Sequence, residues 1–171
     1  VPEDFEITML EEEKARLKDA LEREDRDNNE NKKSPSQKDI EKKLKNLEAK
    51  LERKMDDASK NQDSMLNLRE MGVDHLGIDE AHYYKNLAPD TAKDIPGISV
   101  KESVRAWDML MKCRYMHELH DGPNGILMAT GTPISNSLVE CYTFTRMLRP
   151  DLMESMGIYN FNDWMSLFAE V

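Results

Sequence analysis

A chain of 171 residues has room for one domain, or for one domain with an appendage. Its residues are 39% hydrophobic and 34% charged, so a core can form but a large polar surface must be solvated. The net charge of −10 argues against a nucleic-acid grip by these residues alone, because phosphate contacts need clustered Lys and Arg.

The opening stretch "VPEDFEITML" lacks the basic-then-apolar layout of a signal peptide. No apolar run approaches the roughly 20 residues that span a bilayer, so no membrane partner is expected. Residues 1 to about 60 read as charge-rich helix. In "LEEEKARLKDALERED", Leu10, Leu17 and Leu21 share one side, with acids crowded at the start. The polar stretch "RDNNENKKSPSQ", holding Pro35, breaks the pattern. A second helix over about 36–58 then carries Ile40, Leu44, Leu47, Leu51 and Met55 as a narrow apolar seam. It would run roughly 35 Å. Two helices with one stripe each predict an antiparallel hairpin. Solvated outer faces account for the charges; an arm that binds a helical partner is the alternative.

Beyond residue 60 the pattern changes. "SMLNLREMG" predicts a short helix stopped by Gly72 in the left-handed cap position. "VDHLGIDE" and "NGILMAT" (124–130) predict short strands. Between them, "KESVRAWDMLMKCRYMHEL" sets Val104, Trp107, Met111, Tyr115 and Leu119 at helical spacing. "SNSLVECYTFTRMLRP" reads as a helix ended by Pro150. Strand, helix, strand, helix is the order of a parallel α/β sheet with crossovers. Cys113 and Cys141 stand apart without a CxxC, so neither a disulfide framework nor a zinc site is expected, and a reducing cytoplasm is the simplest compartment. The "HELH" at 117–120 departs from the HExxH zinc spacing and reads as polar residues at a helix end.

Parallel sheets place ligands at the carboxyl ends of their strands, and both "DEAH" and "TGTP" fall there. Asp79 can hold magnesium (Mg2+) beside a triphosphate, usually through water. Glu80 can orient and deprotonate an attacking water, a step that depends on placement and charge compensation. His82 can relay nucleotide state to the neighbouring loop, where Thr130 and Thr132 offer hydroxyls and Gly131 lets the backbone turn tightly. Separately, DExH after an apolar run can simply end a buried strand, and TGTP can be a turn before a proline-started helix. Their occurrence together, each closing a strand, favours the nucleotide reading.

These motifs resemble superfamily-two helicases and translocases. "DEAH" looks like their Walker B box, motif II. "YYKNL" and "ATGTPISNSLVECYTFTRMLRP" are similar to the Swi/Snf-related branch, in which Lys-Asn follows motif II and Thr-Gly-Thr-Pro forms motif III. Over its length the chain looks most like the large helicase proteins of phages, plasmids and conjugative elements, often linked to DNA methylases, which carry a charged helical insertion before this box. The resemblance implies a partial RecA-like (P-loop NTPase) α/β parallel sheet over residues 61–171, with an inserted antiparallel helical hairpin over 1–60. It implies ATP and magnesium as ligands and duplex DNA as the track. By position Asp79 would hold the metal, Glu80 would be the catalytic base, and His82 would couple to Thr130, Gly131 and Thr132. Lys85 and Asn86 match the pair after motif II and receive no catalytic role.

The sequence departs from the family in two ways. It has no GxxxxGK[ST], so the phosphate-cradling loop is missing. No second RecA-like domain, with its arginine finger, follows. The expectation is a piece of a longer protein, inactive alone. "APDTAKDIPGISVKESV", with Pro89, Pro96 and Gly97, reads as an added loop that orders when nucleotide or DNA binds. Two other readings stand beside this one: a non-enzymatic interaction module built on the hairpin, and an RNA helicase, which the Ser-Ala-Thr form usual for its motif III disfavours.

Overall fold

The computed structural model describes residues 1–27, 35–59, 67–91, 103–135 and 137–168. The chain divides into two compact units, Val1–Met71 with Asp90–Pro96, and Gly72–Pro89 with Gly97–Val171.

The first unit is built on two 25-residue helices, α1 (Glu3–Asp27) and α2 (Pro35–Ser59). Acids in the first turn of α1, Glu3, Asp4 and Glu6, complement the positive end of its dipole. Cross-links fix the orientation. Glu6 pairs with Lys50 and Lys54, Glu13 with Lys43, and the Asp25 carboxylate accepts from Gln37. Early residues of α1 meet late residues of α2, so the hairpin is antiparallel. Its seam is apolar: Leu17 and Ile40 are buried, with Leu21, Leu44 and Leu47 packed against them. The expected stripe is thus used inside the hairpin. It fades at its far end, where Met55 is 54% exposed.

The described part of the expected short helix, from Asn67, is a single turn closed by Met71 N–H on the Asn67 carbonyl at 3.0 Å. Asn67 caps it by accepting from the N–H groups of Arg69 and Glu70, and Gly72 stops it at φ 65°. The earlier part of that stretch, through residue 66, lies outside the described residues, as do residues 92–102 of the added loop.

The second unit carries the sheet. Strands β1 (Leu76–Ile78) and β2 (Ile126–Met128) pair in parallel, with Leu76 opposite Ile126 and Ile78 opposite Met128. Side chains alternate, so Gly77 and Leu127 face out, whereas Ile78 is buried. The crossover is α3 (Val104–Leu119), which packs on α4 (Val139–Leu148) and on the turn that follows β1. Of the stripe expected on α3, Trp107, Met111 and Tyr115 are buried, while Val104 and Leu119 at its ends are exposed. Met109, Leu110, Cys113 and Met116 are buried as well, so α3 is covered on most of its circumference.

Pro150 follows α4, yet it opens a further helix, α5 (Pro150–Ser155), from its first position. Proline suits that position because its missing N–H would be unpaired there anyway. The Arg149 guanidinium grips Asp151 of the same turn with two 2.9 Å bonds. A last helix, α6 (Phe161–Phe168), was not signalled by the motifs. It is held by aromatic contacts, with Phe161 and Trp164 edge-on to Tyr142 of α4 at 5.1 and 5.9 Å. No described helix is long and apolar enough to cross a membrane.

Candidate functional site

The two motifs close adjacent strands. Leu76 N–H donates to the Gly125 carbonyl at 2.8 Å, and Ala129 N–H donates to the Ile78 carbonyl at 2.8 Å, so the ladder runs to the strands' carboxyl ends. Asp79 and Glu80 then leave β1 while Ala129 and Thr130 leave β2.

Glu80 turns the chain. Its backbone sits in the left-handed region at φ 50°, ψ 45°, a conformation costly for a residue with a Cβ. The reversal folds Ala81 N–H back onto the Ala129 carbonyl at 2.9 Å and starts a short 3-10 turn, Ala81–Tyr84. One residue further on, the His82 ring lands beside the neighbouring loop, with Nδ1 3.1 Å from Thr130 Oγ1. The same Nδ1 lies 3.1 Å from Glu80 Oε2. Nδ1 thus faces both the Glu80 carboxylate and the Thr130 hydroxyl, and a hydrogen on it would be donated toward either oxygen. Thr130 Oγ1 accepts in turn from Thr132 N–H at 3.2 Å.

Asp79, Glu80, His82, Thr130 and Thr132 therefore lie together at one end of the sheet. Asp79 and Glu80 are exposed, and Asp79 Oδ1 accepts from Glu80 N–H at 2.8 Å. Gly131 sits in this loop but outside the left-handed region, and a Cβ there would meet nothing within 4 Å, so the turn does not itself require glycine. A glycine that the fold does require near the sheet is Gly125, before β2. It has φ 76°, and an added Cβ would lie 2.6 Å from the His120 ring.

No group of three or more His, Cys, Asp or Glu among the described residues is placed to hold a metal ion by itself. Magnesium carried by a nucleotide needs less, one or two carboxylates with waters and phosphates completing its shell. An exposed aspartate at a strand's carboxyl end fits that donor set. In "HELH" the two histidines serve the fold separately. His117 Nε2–H donates to the Met147 carbonyl at 2.7 Å, joining α3 to α4, and His120 Nε2–H donates to the Asp74 carbonyl at 2.6 Å. Burial holds His117 below its usual pKa, against the opposing pull of the bond to Met147.

Sequence reasoning passed over one feature. Lys85, just after the turn, is buried and reaches Glu140 Oε1 of α4 at 3.2 Å and also the Ser135 hydroxyl. Glu140 is 4% exposed, and its Oε2 accepts from Ser135 N–H at 2.6 Å. The available signal was an acid inside the otherwise uncharged run "SLVECYTF".

Two adjacent parallel strands thus end in loops that carry Asp79 and Glu80 on one side and Thr130 on the other, with the His82 ring between them. A family model described as "Probable helicase domain" matches residues 1–171, and the chain belongs to that family of helicase-related proteins. No curated protein and no solved structure matches the chain.

Proposed function

We propose that the chain supplies the Walker B and motif III half of an ATP-dependent DNA helicase or translocase of superfamily two, Swi/Snf-related branch. In this reading residues 61–171 belong to the first RecA-like motor domain, residues 1–60 are its helical insertion, and duplex DNA is the partner of the assembled motor. The phosphate-cradling loop and the second RecA-like domain come from polypeptide outside these residues. The observation that carries the reading is the His82–Thr130 contact, which joins the loops of two adjacent parallel strands where this fold class binds ligands.

Asp79 would hold magnesium bound with ATP, which supplies charge neutralisation at the transferring phosphoryl group. Glu80 takes the proton of the attacking water on its carboxylate, and the His82 ring, with Nδ1 beside Oε2, lies between that carboxylate and Thr130. Because the same ring nitrogen faces Thr130, a change at Glu80 is felt by the motif III loop.

Phosphate release tests this reading. The isolated chain is expected to give no steady-state turnover. A polypeptide that adds the phosphate loop and the second motor domain is expected to hydrolyse ATP, with Glu80→Gln abolishing turnover while nucleotide binding survives. Hydrolysis that persists in Glu80→Gln would exclude Glu80 as the base.

A further inference from the structure

Between Thr130 and Ser135 the second loop has little to lean on, since Gly131, Thr132, Pro133 and Ile134 are all exposed. Its position is set by polar attachments at its two ends. At the front, Ala129 is held by the backbone bonds to Ile78 and Ala81. At the back, the Lys85–Glu140–Ser135 network holds it.

Three features of this network stand out. Its charges are almost wholly buried, with side-chain exposures of 9% for Lys85 and 5% for Glu140. It joins the segment just after the His82 turn to the segment just after the Thr130 loop. And its three parts interlock: Lys85 donates to both Glu140 and Ser135, while Ser135 N–H donates to the same carboxylate. A buried ion pair is a poor device for stability alone, because well-packed apolar residues of similar volume often stabilise as much or more. What such a pair gives is a fixed distance and direction between the segments that carry it.

We propose that Lys85, acting with Glu140 and Ser135, is a positioning unit that holds the motif III loop in register with the motif II turn, so that His82 Nδ1 meets Thr130. This role rests on the reading of Glu80 and His82 as nucleotide-facing groups. The network touches neither group directly. It acts from behind, fixing the far end of a loop whose near end is fixed by the sheet. The arrangement lets the two loops shift as one body when the occupancy of Glu80 changes.

The test uses the 171-residue chain without nucleotide. Nitrogen-15 spectra of the imidazoles report which His82 nitrogen carries the hydrogen, with the signal assigned through His82→Gln. In the parent chain His82 is expected as the Nδ1–H form. Lys85→Met should shift it toward the Nε2–H form that free imidazole side chains favour, and should speed exchange of the Thr132 amide by about tenfold or more, the loss of a charge-assisted bond. Lys85→Met leaves a buried carboxylate unpaired, so a partner variant, Lys85→Met with Glu140→Leu, restores a neutral core. If that double variant folds as stably as the parent chain but keeps the altered His82 signal, the network positions. If its His82 signal returns to that of the parent, or if Lys85→Met never changes it, the proposal is wrong. Should neither Lys85 variant fold, Ser135→Ala decides, since residue 135 is exposed and the ion pair survives its loss. Exchange of Thr132 faster by a few fold would support the proposal, and unchanged exchange would overturn it. None of these measurements involves ATP, so failure of the Glu80→Gln assay and failure of this tether are separate outcomes.

Discussion

Gly125→Ala is expected to weaken the second unit by about 2 kcal/mol. Gly125 precedes β2 at φ 76°, and a side chain in the left-handed region costs roughly 1–2 kcal/mol. The new Cβ would lie 2.6 Å from His120 Cδ2 and Nε2 and 3.1 Å from the Asp74 carbonyl. The ring must move, which breaks its 2.6 Å bond to that carbonyl, at about 0.5–1.5 kcal/mol. Reduced freedom of the unfolded chain offsets about 0.4–1 kcal/mol. Trp107 and Trp164 both belong to the second unit, so tryptophan fluorescence during urea unfolding follows that unit selectively. With a slope of about 1–3 kcal/mol per molar urea, the midpoint should fall by about 1 M. In a His120→Ala background the ring contact is already gone, and the cost should drop to the backbone part less the same offset, about 1 kcal/mol or less. A loss below about 0.5 kcal/mol in the parent background would refute both the backbone and the contact reasoning.

In the hairpin, Leu17→Ala should cost about 2–5 kcal/mol by thermal unfolding followed at 222 nm, whereas Met55→Gln should stay within about 0.5 kcal/mol; similar losses from both would mean that the seam runs its full expected length. Glu6 is held below its ordinary value of 4.5: burial works to raise it, and the bonds and charges of Lys54 and Lys50 outweigh that effect. Its contribution is therefore present above pH 4.5 and lost as pH falls through the lowered value, and Glu6→Gln should remove that part of the acid transition, seen as a flatter stability profile below pH 4.5. Burial pushes the Cys113 thiol up to about 12. Iodoacetamide at pH 8 should thus modify Cys141 first and reach Cys113 only on unfolding; equal rates in the folded chain would contradict the buried site.

The parts of this structure that were legible in the sequence are those governed by short-range pattern. Leu17, Ile40, Leu44 and Leu47 announce a hairpin because two narrow stripes can cover each other and little else. The strands before Asp79 and Thr130 show as apolar runs that stop at turn residues, and their parallel pairing follows from the helical crossover between them. Other features depend on partners far along the chain. Helix α6 owes its place to Tyr142, which no local pattern couples to Phe161 and Trp164. Lys85 was visible as half of a motif pair, but its meaning lies in Glu140, in another helix. The left-handed backbone at Glu80 had no signal at all, since glutamate is not a residue that turn rules place there.

That backbone sets folding and chemistry at odds at one position. Glycine would relieve a cost of roughly 1–2 kcal/mol at residue 80, and asparagine part of it. A library ranked by heat resistance alone should accordingly drift toward those two residues and discard the carboxylate that the proposed chemistry needs. Enrichment of glutamate would then appear only when survival is made to depend on turnover.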